Sequence, residues 1–285
     1  MARKVTEVKD CMKTFEGDGI PVTRAFPVPG MRELDPFLLF DHFGPIHYEP
    51  GGATGVPAHP HCGFEAITYL LGGEVEHKDS WGGQASIETG DIQWMTTGSG
   101  LIHSELVTDK FKKSGGIMQG LQIWVNLPKQ LKMMEPEYRG LQKDQISIWK
   151  NEEETVIAQV ISGNFKGIRG AFDTPTSVSL SLVHFEKKSE VQIEIPKSDN
   201  IFFYVIRGKL EVNEIEVPEL HLAEFSKNSE ILNISAEEKS ILLLGHAEPF
   251  QEKVVFGGPF VMNSEEEIQQ AYADYKAGKM GNWEE

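Results

Sequence analysis

The chain has 285 residues, of which 40% are hydrophobic and 25% charged, a composition typical of a folded protein and unlike that of a disordered one. No stretch approaches 18 uncharged apolar residues, and the first residues reach acidic side chains without an apolar segment, so we expect neither a membrane span nor a signal peptide. The formal net charge of -16 disfavours direct binding to nucleic acid, because an acidic surface repels phosphates.

Charge and histidine are distributed unevenly along the chain. The balance is -4 in residues 1–150, from 15 basic and 19 acidic side chains, and -12 in residues 151–285, from 12 and 24. Six of the nine histidines, in contrast, lie between His42 and His103. The first half is therefore the candidate for chemistry.

The two cysteines, Cys11 and Cys62, stand in a chain without an export signal. They predict free thiols in a reducing compartment, so we expect a cytoplasmic protein. No Cys-x-x-Cys pair occurs, which excludes a zinc site built from thiolates.

Glycine and proline are dense between Gly17 and Pro60, which excludes long helices there. Short stretches rich in β-branched and aromatic residues follow them. They predict strands at residues 66–71, 85–88, 92–96 and 118–127. Residues 128–145, rich in Lys, Met, Glu and Pro, are predicted as a linker between the halves or as a strap that packs on one of them.

The second half has the same style of closely spaced short strands. The predicted ranges are 155–162, 177–185, 190–195, 201–206, 209–214, 221–225, 230–234 and 240–244. Many short strands with tight turns indicate a sandwich, jelly roll or barrel. A weak repeat aligns residues 69–76 with 204–211, which favours a duplicated β domain.

One helix is predicted near the end of the chain. Ser264 and Glu267 form a capping-box pattern, and apolar residues recur with helical spacing from Ile268 to Tyr275. Gly278 suits the position just after the helix. We expect this helix to pack its apolar stripe on a β domain.

Two pairs of potential metal ligands occur in the histidine-rich half: His59 with His61, and His103 with Glu105. In extended chain, residues two apart point to one face, so each pair can reach one ion. Three imidazoles and one carboxylate suit iron, manganese, nickel, copper or zinc. An octahedral ion would keep two positions for water, dioxygen or a chelating substrate. A closed structural zinc site is disfavoured, since such sites are rich in Cys.

Two segments resemble the cupin motifs in the form that pirins carry. Residues 59–73, which begin His-Pro-His-Cys-Gly-Phe-Glu, resemble the first motif, and residues 90–105, which end Leu-Ile-His-Ser-Glu, resemble the second. The likeness continues in residues 35–43, 122–127 and 257–263. It covers nearly the whole chain, and the sequence is identified as a member of the pirin family.

The resemblance implies an all-β fold of two tandem cupin barrels, of the double-stranded β-helix or jelly-roll type, with a short C-terminal α-helix. It divides the chain into an N-terminal metal-binding barrel, residues 1–134, and a degenerate C-terminal barrel with the terminal helix, residues 135–285. The second barrel is expected to hold no metal, because the ligand pairs are not repeated there. Its histidines, His184, His221 and His246, are expected to be ordinary surface or hydrogen-bonded residues.

Carried over by motif position, the metal ligands are His59, His61, His103 and Glu105. The resemblance implies one divalent ion, iron(II) first, with manganese, nickel, copper or zinc as alternatives. Glu65 matches the glutamate of the general cupin motif, but in pirins it supports the site instead of binding the metal. Thr96 stands where Pro is usual in cupins, as it does in pirins.

Pirin-like proteins resemble quercetinases, which open a flavonol ring with dioxygen and release carbon monoxide. This implies a small aromatic substrate, with Glu105 as the catalytic acceptor of its proton. The alternative is a redox-sensing regulator whose metal controls binding to a protein partner, of the transcription co-regulator type, without turnover. A monomer is expected in either case, with no contact to membrane or nucleic acid.

Several further side chains receive structural interpretations. His77 is expected to cap a hairpin more than to line the metal barrel, and Cys62 to point away from the metal. His42 and His47 are expected to be structural, although both could reach the pocket. The aromatic residues are assigned to the core, namely Trp94, Trp124 and those of residues 37–43.

Overall fold

The computed structural model describes residues 2–17 and 19–283, and these are mostly strands. The strands and helices of the first half are β1 (Val5–Asp10), β2 (Met12–Glu16), β3 (Ile20–Phe26), β4 (Phe37–Tyr48), β5 (Gly55–His61), β6 (Phe64–Gly72), β7 (Glu74–Asp79), β8 (Gln84–Glu88), β9 (Ile92–Thr96), β10 (Leu101–Val107), α1 (Asp109–Ser114), β11 (Gly116–Asn126), β12 (Glu137–Leu141) and β13 (Ser147–Lys150).

The second half continues the pattern and ends in a helix. Its elements are β14 (Val156–Ser162), β15 (Asn164–Phe165), β16 (Ile168–Arg169), β17 (Ser179–Phe185), β18 (Ser189–Glu194), β19 (Asn200–Arg207), β20 (Lys209–Val212), β21 (Ile215–Pro218), β22 (His221–Phe225), β23 (Ile231–Ala236), β24 (Ser240–Ala247), β25 (Val255–Gly257), β26 (Phe260–Met262) and α2 (Glu265–Lys276). The all-β prediction is confirmed. Neither α-helix of the described chain is long and apolar enough to cross a membrane.

The chain forms two compact units that draw on separate stretches of sequence. The first barrel contains residues 13–17, 19–27, 37–143 and 250–283, and the second contains residues 2–12, 28–36 and 144–249. The predicted domain boundary at residue 134 stays a prediction. What the structure adds is that each barrel includes chain from the opposite end of the sequence.

The first barrel is built from a seven-stranded and a four-stranded sheet, with strand orders β12-β9-β6-β11-β4-β3-β2 and β5-β10-β7-β8. In β11 the predicted alternation is present, since Leu121, Ile123 and Val125 are buried while the intervening Gln122 and Trp124 are partly exposed. Such alternation lets a strand pack one face on the core.

The second barrel has two sheets with strand orders β1-β22-β19-β24-β17-β14-β13 and β18-β23-β20-β21. Its β19 matches β6 of the first barrel in place, in agreement with the repeat of residues 69–76 in 204–211. A single apolar cluster fills its interior, including Ile193, Leu232 and Ile234.

The segment between the predicted halves is a strap on the first barrel. Its strand β12 pairs antiparallel with β9, with Tyr138 opposite Met95. Lys132, from the same segment, is buried and donates from Nζ to the carbonyl oxygens of Gly63 and Val261, at 2.8 and 2.9 Å, and to the side chain of Asn126. Burial lowers the pKa of Lys132 to about 8.

Helix α2 begins and ends where the sequence predicts. The hydroxyl of Ser264 accepts a hydrogen bond from the backbone N–H of Glu267 at 3.2 Å, as an N-cap does. Gly278 follows the C-cap with φ 72°, the left-handed conformation that favours glycine. The helix packs Ile268 and Ala271 against the β25–β26 hairpin of the first barrel.

Candidate metal centre

The proposed ligands lie on neighbouring strands of the four-stranded sheet of the first barrel. Antiparallel pairing of β5 and β10 sets His59 directly opposite His103. On the other side of β10, His103 lies opposite Asp79, and Glu105 lies opposite His77. The register of three strands therefore brings two motifs that are some forty residues apart in sequence to one place.

Three imidazoles converge. One ring nitrogen from each of His59, His61 and His103 lies within 4.8 Å of the other two. The ring centroids are 4.3 Å apart for His59 and His103 and 5.1 Å for His61 and His103. His61 and His103 are buried, whereas His59 is partly exposed.

The hydrogen bonds of the rings leave the converging nitrogens free to bind an ion. His59 Nδ1 lies 2.8 Å from the carbonyl oxygen of Pro57, and His61 Nδ1 lies 3.2 Å from that of Pro259. Because a carbonyl only accepts, each Nδ1 carries the proton and each Nε2 keeps its lone pair. Nε2 of His103 is buried without a hydrogen-bond partner in the described chain, and a metal ion fits this atom.

The rings are held in the form that binds metals. Burial, with a contribution from His59, lowers the pKa of His61 to about 3. Burial also lowers the pKa of His103 well below its ordinary value, with smaller contributions from the neighbouring imidazoles. Both are therefore neutral at physiological pH, so that protons do not compete for their lone pairs.

Glu105, the predicted fourth ligand, is not part of the three-histidine group. Its Oε1 accepts hydrogen bonds from the side-chain amide of Gln93 and from Thr68 Oγ1, the latter at 3.4 Å. A bulge separates His103 from Glu105 in the pairing with β5. Ligation by Glu105 stays a prediction.

His77 was expected mainly to cap a hairpin, and that expectation is wrong. It lies in the middle of β7 and is fully buried, because alternate side chains of this strand point into the barrel. Its Nδ1 is 3.5 Å from Nδ1 of His103, and its Nε2 is 3.0 Å from Oδ2 of Asp79. Sequence reasoning missed Asp79, although its spacing from His77 repeats that of the two ligand pairs.

Asp79 is ionised and firmly held. Its Oδ1 accepts from the backbone N–H groups of Trp81 and Gly83, at 2.8 and 2.9 Å. Burial acts to raise the pKa of Asp79, but the hydrogen bonds from His77 and from the two backbone groups outweigh it and hold that pKa below the ordinary range. Such carboxylate–histidine pairs orient metal-binding imidazoles.

Aromatic residues close one side of the centre. The ring of His61 packs against Trp124, with centroids 5.2 Å apart, and Trp124 stacks on Phe64 at 4.2 Å. Trp124 thus contacts the site, although it was assigned to the core alone. Glu65 accepts hydrogen bonds from Trp94 Nε1 at 2.8 Å and from Thr96 Oγ1 at 3.3 Å, as a supporting residue would.

A cleft of about 120 Å³ opens in the first barrel, with Glu105 in its wall. Its walls are mostly apolar, and polar atoms come from a few side chains such as Thr68 and Gln122. Asp41, in its wall, accepts at both carboxylate oxygens from Nε and Nη2 of Arg24, at 2.7 and 2.6 Å. Apolar walls with few convergent polar groups are typical of small-molecule sites.

The histidines of the second barrel are placed as expected. His246 Nδ1 lies 2.7 Å from Oδ2 of Asp199, and His221 Nδ1 lies 2.8 Å from the carbonyl oxygen of Glu219. Over the described residues, the three-histidine group of the first barrel is the one that could hold a metal ion. His42 is buried near Gln119 and stands outside that group.

A double β-barrel with a three-histidine group in one barrel that could hold a metal ion is typical of the bicupin class. The family model described as Pirin matches residues 19–125, and the Pirin C-terminal cupin domain matches residues 181–281. Human pirin is 35% identical over 286 aligned residues, 98% of this chain and 94% of its own. The chain belongs to the pirin family.

Two solved structures have the same fold. The crystal structure of a quercetin 2,3-dioxygenase from Acinetobacter baumannii superposes with a TM-score of 0.91 at 32% identity, covering 99% of both chains. A bacterial pirin from Escherichia coli, crystallised in complex with nickel(II), superposes with a TM-score of 0.68 at 20% identity, covering 85% of this chain and 99% of that one. At that identity the second likeness shows the fold alone.

Proposed function

We propose that the chain is a pirin-like, metal-dependent dioxygenase that opens the ring of a flavonol such as quercetin with dioxygen and releases carbon monoxide. The observation that carries this is the buried, unpartnered Nε2 of His103 beside His59 and His61, two residues along β10 from Glu105, which lines an apolar cleft. The name of the Acinetobacter relative, which aligns along its whole length, supports the substrate class.

The three imidazoles would hold one divalent transition metal, iron(II) in our proposal, with manganese, nickel, copper or zinc as alternatives. The nickel bound by the Escherichia coli pirin supports this range. When bound, the ion would supply Lewis acidity toward the flavonol hydroxyl. His59 is the partly exposed member of the group.

Glu105 would provide the fourth ligand and would accept the proton of the flavonol hydroxyl. Its position two residues from His103, in the wall of the cleft, supports this role. A carboxylate within hydrogen-bond reach of a substrate hydroxyl is a competent general base. The hydrogen bonds from Gln93 and Thr68 to Oε1 hold the Glu105 side chain in one position.

The cleft, about 120 Å³ in volume, would take one edge of the flat aromatic substrate and exclude water from that edge. Phe43, Tyr48, Val56 and Met118 supply apolar walls, and Gln122 offers an amide for the polar substituents. Excluding water strengthens every electrostatic interaction inside the site.

The test is metal analysis of protein purified anaerobically from its own host, with oxygen uptake and carbon monoxide release measured on flavonols. We expect about one metal ion per chain and turnover of quercetin. His59→Ala and Glu105→Ala should abolish both metal binding and turnover. Unchanged metal content in these variants would contradict the assignment of the metal site.

A partner-binding assay on the same protein, in both oxidation states of the metal, decides the alternative function. A protein that holds its metal, turns over no flavonol and binds a protein partner only in one oxidation state of the metal would be the regulator. The cytoplasmic location and the monomeric state expected from the sequence stay predictions.

A further inference from the structure

Tyr138 reaches the metal centre from the strap, outside the strands that carry the ligands. Its ring lies parallel to that of His77, with centroids 3.8 Å apart and an interplanar angle of 11°. Its hydroxyl lies 3.2 Å from Oε1 of Gln93. One side chain therefore touches two residues that in turn touch His103 and Glu105.

The first of these connections leads to the carboxylate. Because the carboxylate of Glu105 only accepts, the amide nitrogen of Gln93 must face it, and the amide oxygen must face Tyr138. The phenol is then the donor. Burial raises the pKa of Tyr138, and the nearby charge of Glu105 adds to this, so the phenol keeps its proton.

The second connection leads to the imidazole. The carboxylate of Asp79 accepts from Nε2–H of His77, which leaves Nδ1 of His77 as an acceptor. Nδ1–H of His103 can donate to it, at 3.5 Å, and this tautomer leaves the lone pair of His103 on the buried Nε2. The ring of Tyr138 covers the face of His77 and holds it in that orientation.

We infer that Tyr138 is a positioning residue that sets two metal ligands at once, the imidazole of His103 through His77 and the carboxylate of Glu105 through Gln93. The inference rests on the proposed metal site. Groups that orient metal ligands typically change metal affinity by about 10- to 100-fold. Tyr138 would act with two such groups, so its loss should alter the coordination geometry as well as the affinity.

Cobalt(II) is the probe, because its visible absorption reports coordination number and geometry. Tyr138→Phe keeps the stacked ring and removes the hydrogen bond to Gln93. We expect a changed cobalt spectrum and about a tenfold weaker affinity. Tyr138→Leu removes both contacts and should weaken binding further. Tyr138→Phe should unfold near the wild-type temperature, since it removes only the hydroxyl of a partly exposed side chain.

Tyr272→Phe is the matched control. It also removes one tyrosine hydrogen bond, to the carbonyl oxygen of Gly257 at 3.1 Å, but in α2. It should leave the spectrum and the affinity unchanged. A wild-type spectrum and affinity in Tyr138→Phe would overturn the positioning role while leaving the metal site standing. Failure of the wild-type protein to bind cobalt(II) would instead overturn the metal site, and the inference with it.

Discussion

The strands of the two barrels pair in corresponding orders, but the interiors of the barrels differ in polarity. In the first, β5 and β10 bring His59, His61 and His103 together. In the second, β18 and β23 occupy the places that β5 and β10 have in the four-stranded sheet of the first. Their apolar residues, such as Ile193 and Leu232, point inward and form a continuous core. The same strand arrangement thus forms around a polar interior and around an apolar one. The strand arrangement therefore does not itself require the polar centre of the first barrel.

The largest expected effect comes from removing one imidazole of the first barrel. His103→Ala should reduce bound metal to background, measured by elemental analysis after exposure to a known amount of iron(II) or cobalt(II). His221→Ala, the matched change in the second barrel, should retain the wild-type metal content. Equal metal in the two variants would contradict the contrast between the barrels.

A core substitution in the second barrel should have the opposite signature. Leu232→Ala removes a fully buried side chain and should lower the free energy of unfolding by about 2–5 kcal/mol. Metal content per folded chain should not change. Denaturant unfolding and metal analysis of the same sample check both halves of this prediction.

A smaller effect is expected from Asp79→Asn. The variant keeps an acceptor for His77 but loses the charge that holds its Nε2–H, so metal affinity should fall about 10- to 100-fold. Asp173→Asn, in the second barrel, removes an exposed carboxylate that pairs with Arg169 and serves as the control. Competition against a chelator measures both affinities, and equal values would exclude a role for Asp79.

The smallest effect concerns pH and a histidine away from the ligands. Burial lowers the pKa of His42 to about 4, whereas an unfolded chain titrates near the ordinary value of 6.5. Below pH 6.5 the unfolded state therefore takes up a proton that the folded state refuses, and stability falls toward pH 4. His42→Gln should reduce the loss of unfolding free energy between pH 6 and 5 by about 1 kcal/mol. An unchanged pH dependence would show that His42 takes up its proton over the same pH range in the folded and unfolded protein.

The sequence was most informative where the signals are local. Helix α2 follows from the cap at Ser264, the spacing of Ile268 and Ala271, and Gly278, all within fifteen residues. Strands β9 and β22 coincide with their predicted ranges because turn residues bound them on both sides. The three histidines were found because ligands two residues apart share a face in any extended strand.

What the sequence did not reveal depends on pairing between distant strands. Strand β1 lies beside β22, more than 200 residues away, and no local pattern encodes that choice of partner. His77 and Tyr138 meet because β7 and β12 belong to different sheets of one barrel. The contacts that orient a site are of this kind, so the ligands were predictable but most of their supports were not.

The return of the chain's last segment to the first barrel has a consequence during synthesis. Nδ1 of His61 donates to the carbonyl oxygen of Pro259, and the ammonium group of Lys132 reaches that of Val261. These acceptors leave the ribosome almost 200 residues after His61. A nascent chain that has finished the second barrel therefore still lacks part of the frame around its ligands. If the proposed metal site holds, stable metal loading is expected only after residues 259–261 have left the ribosome.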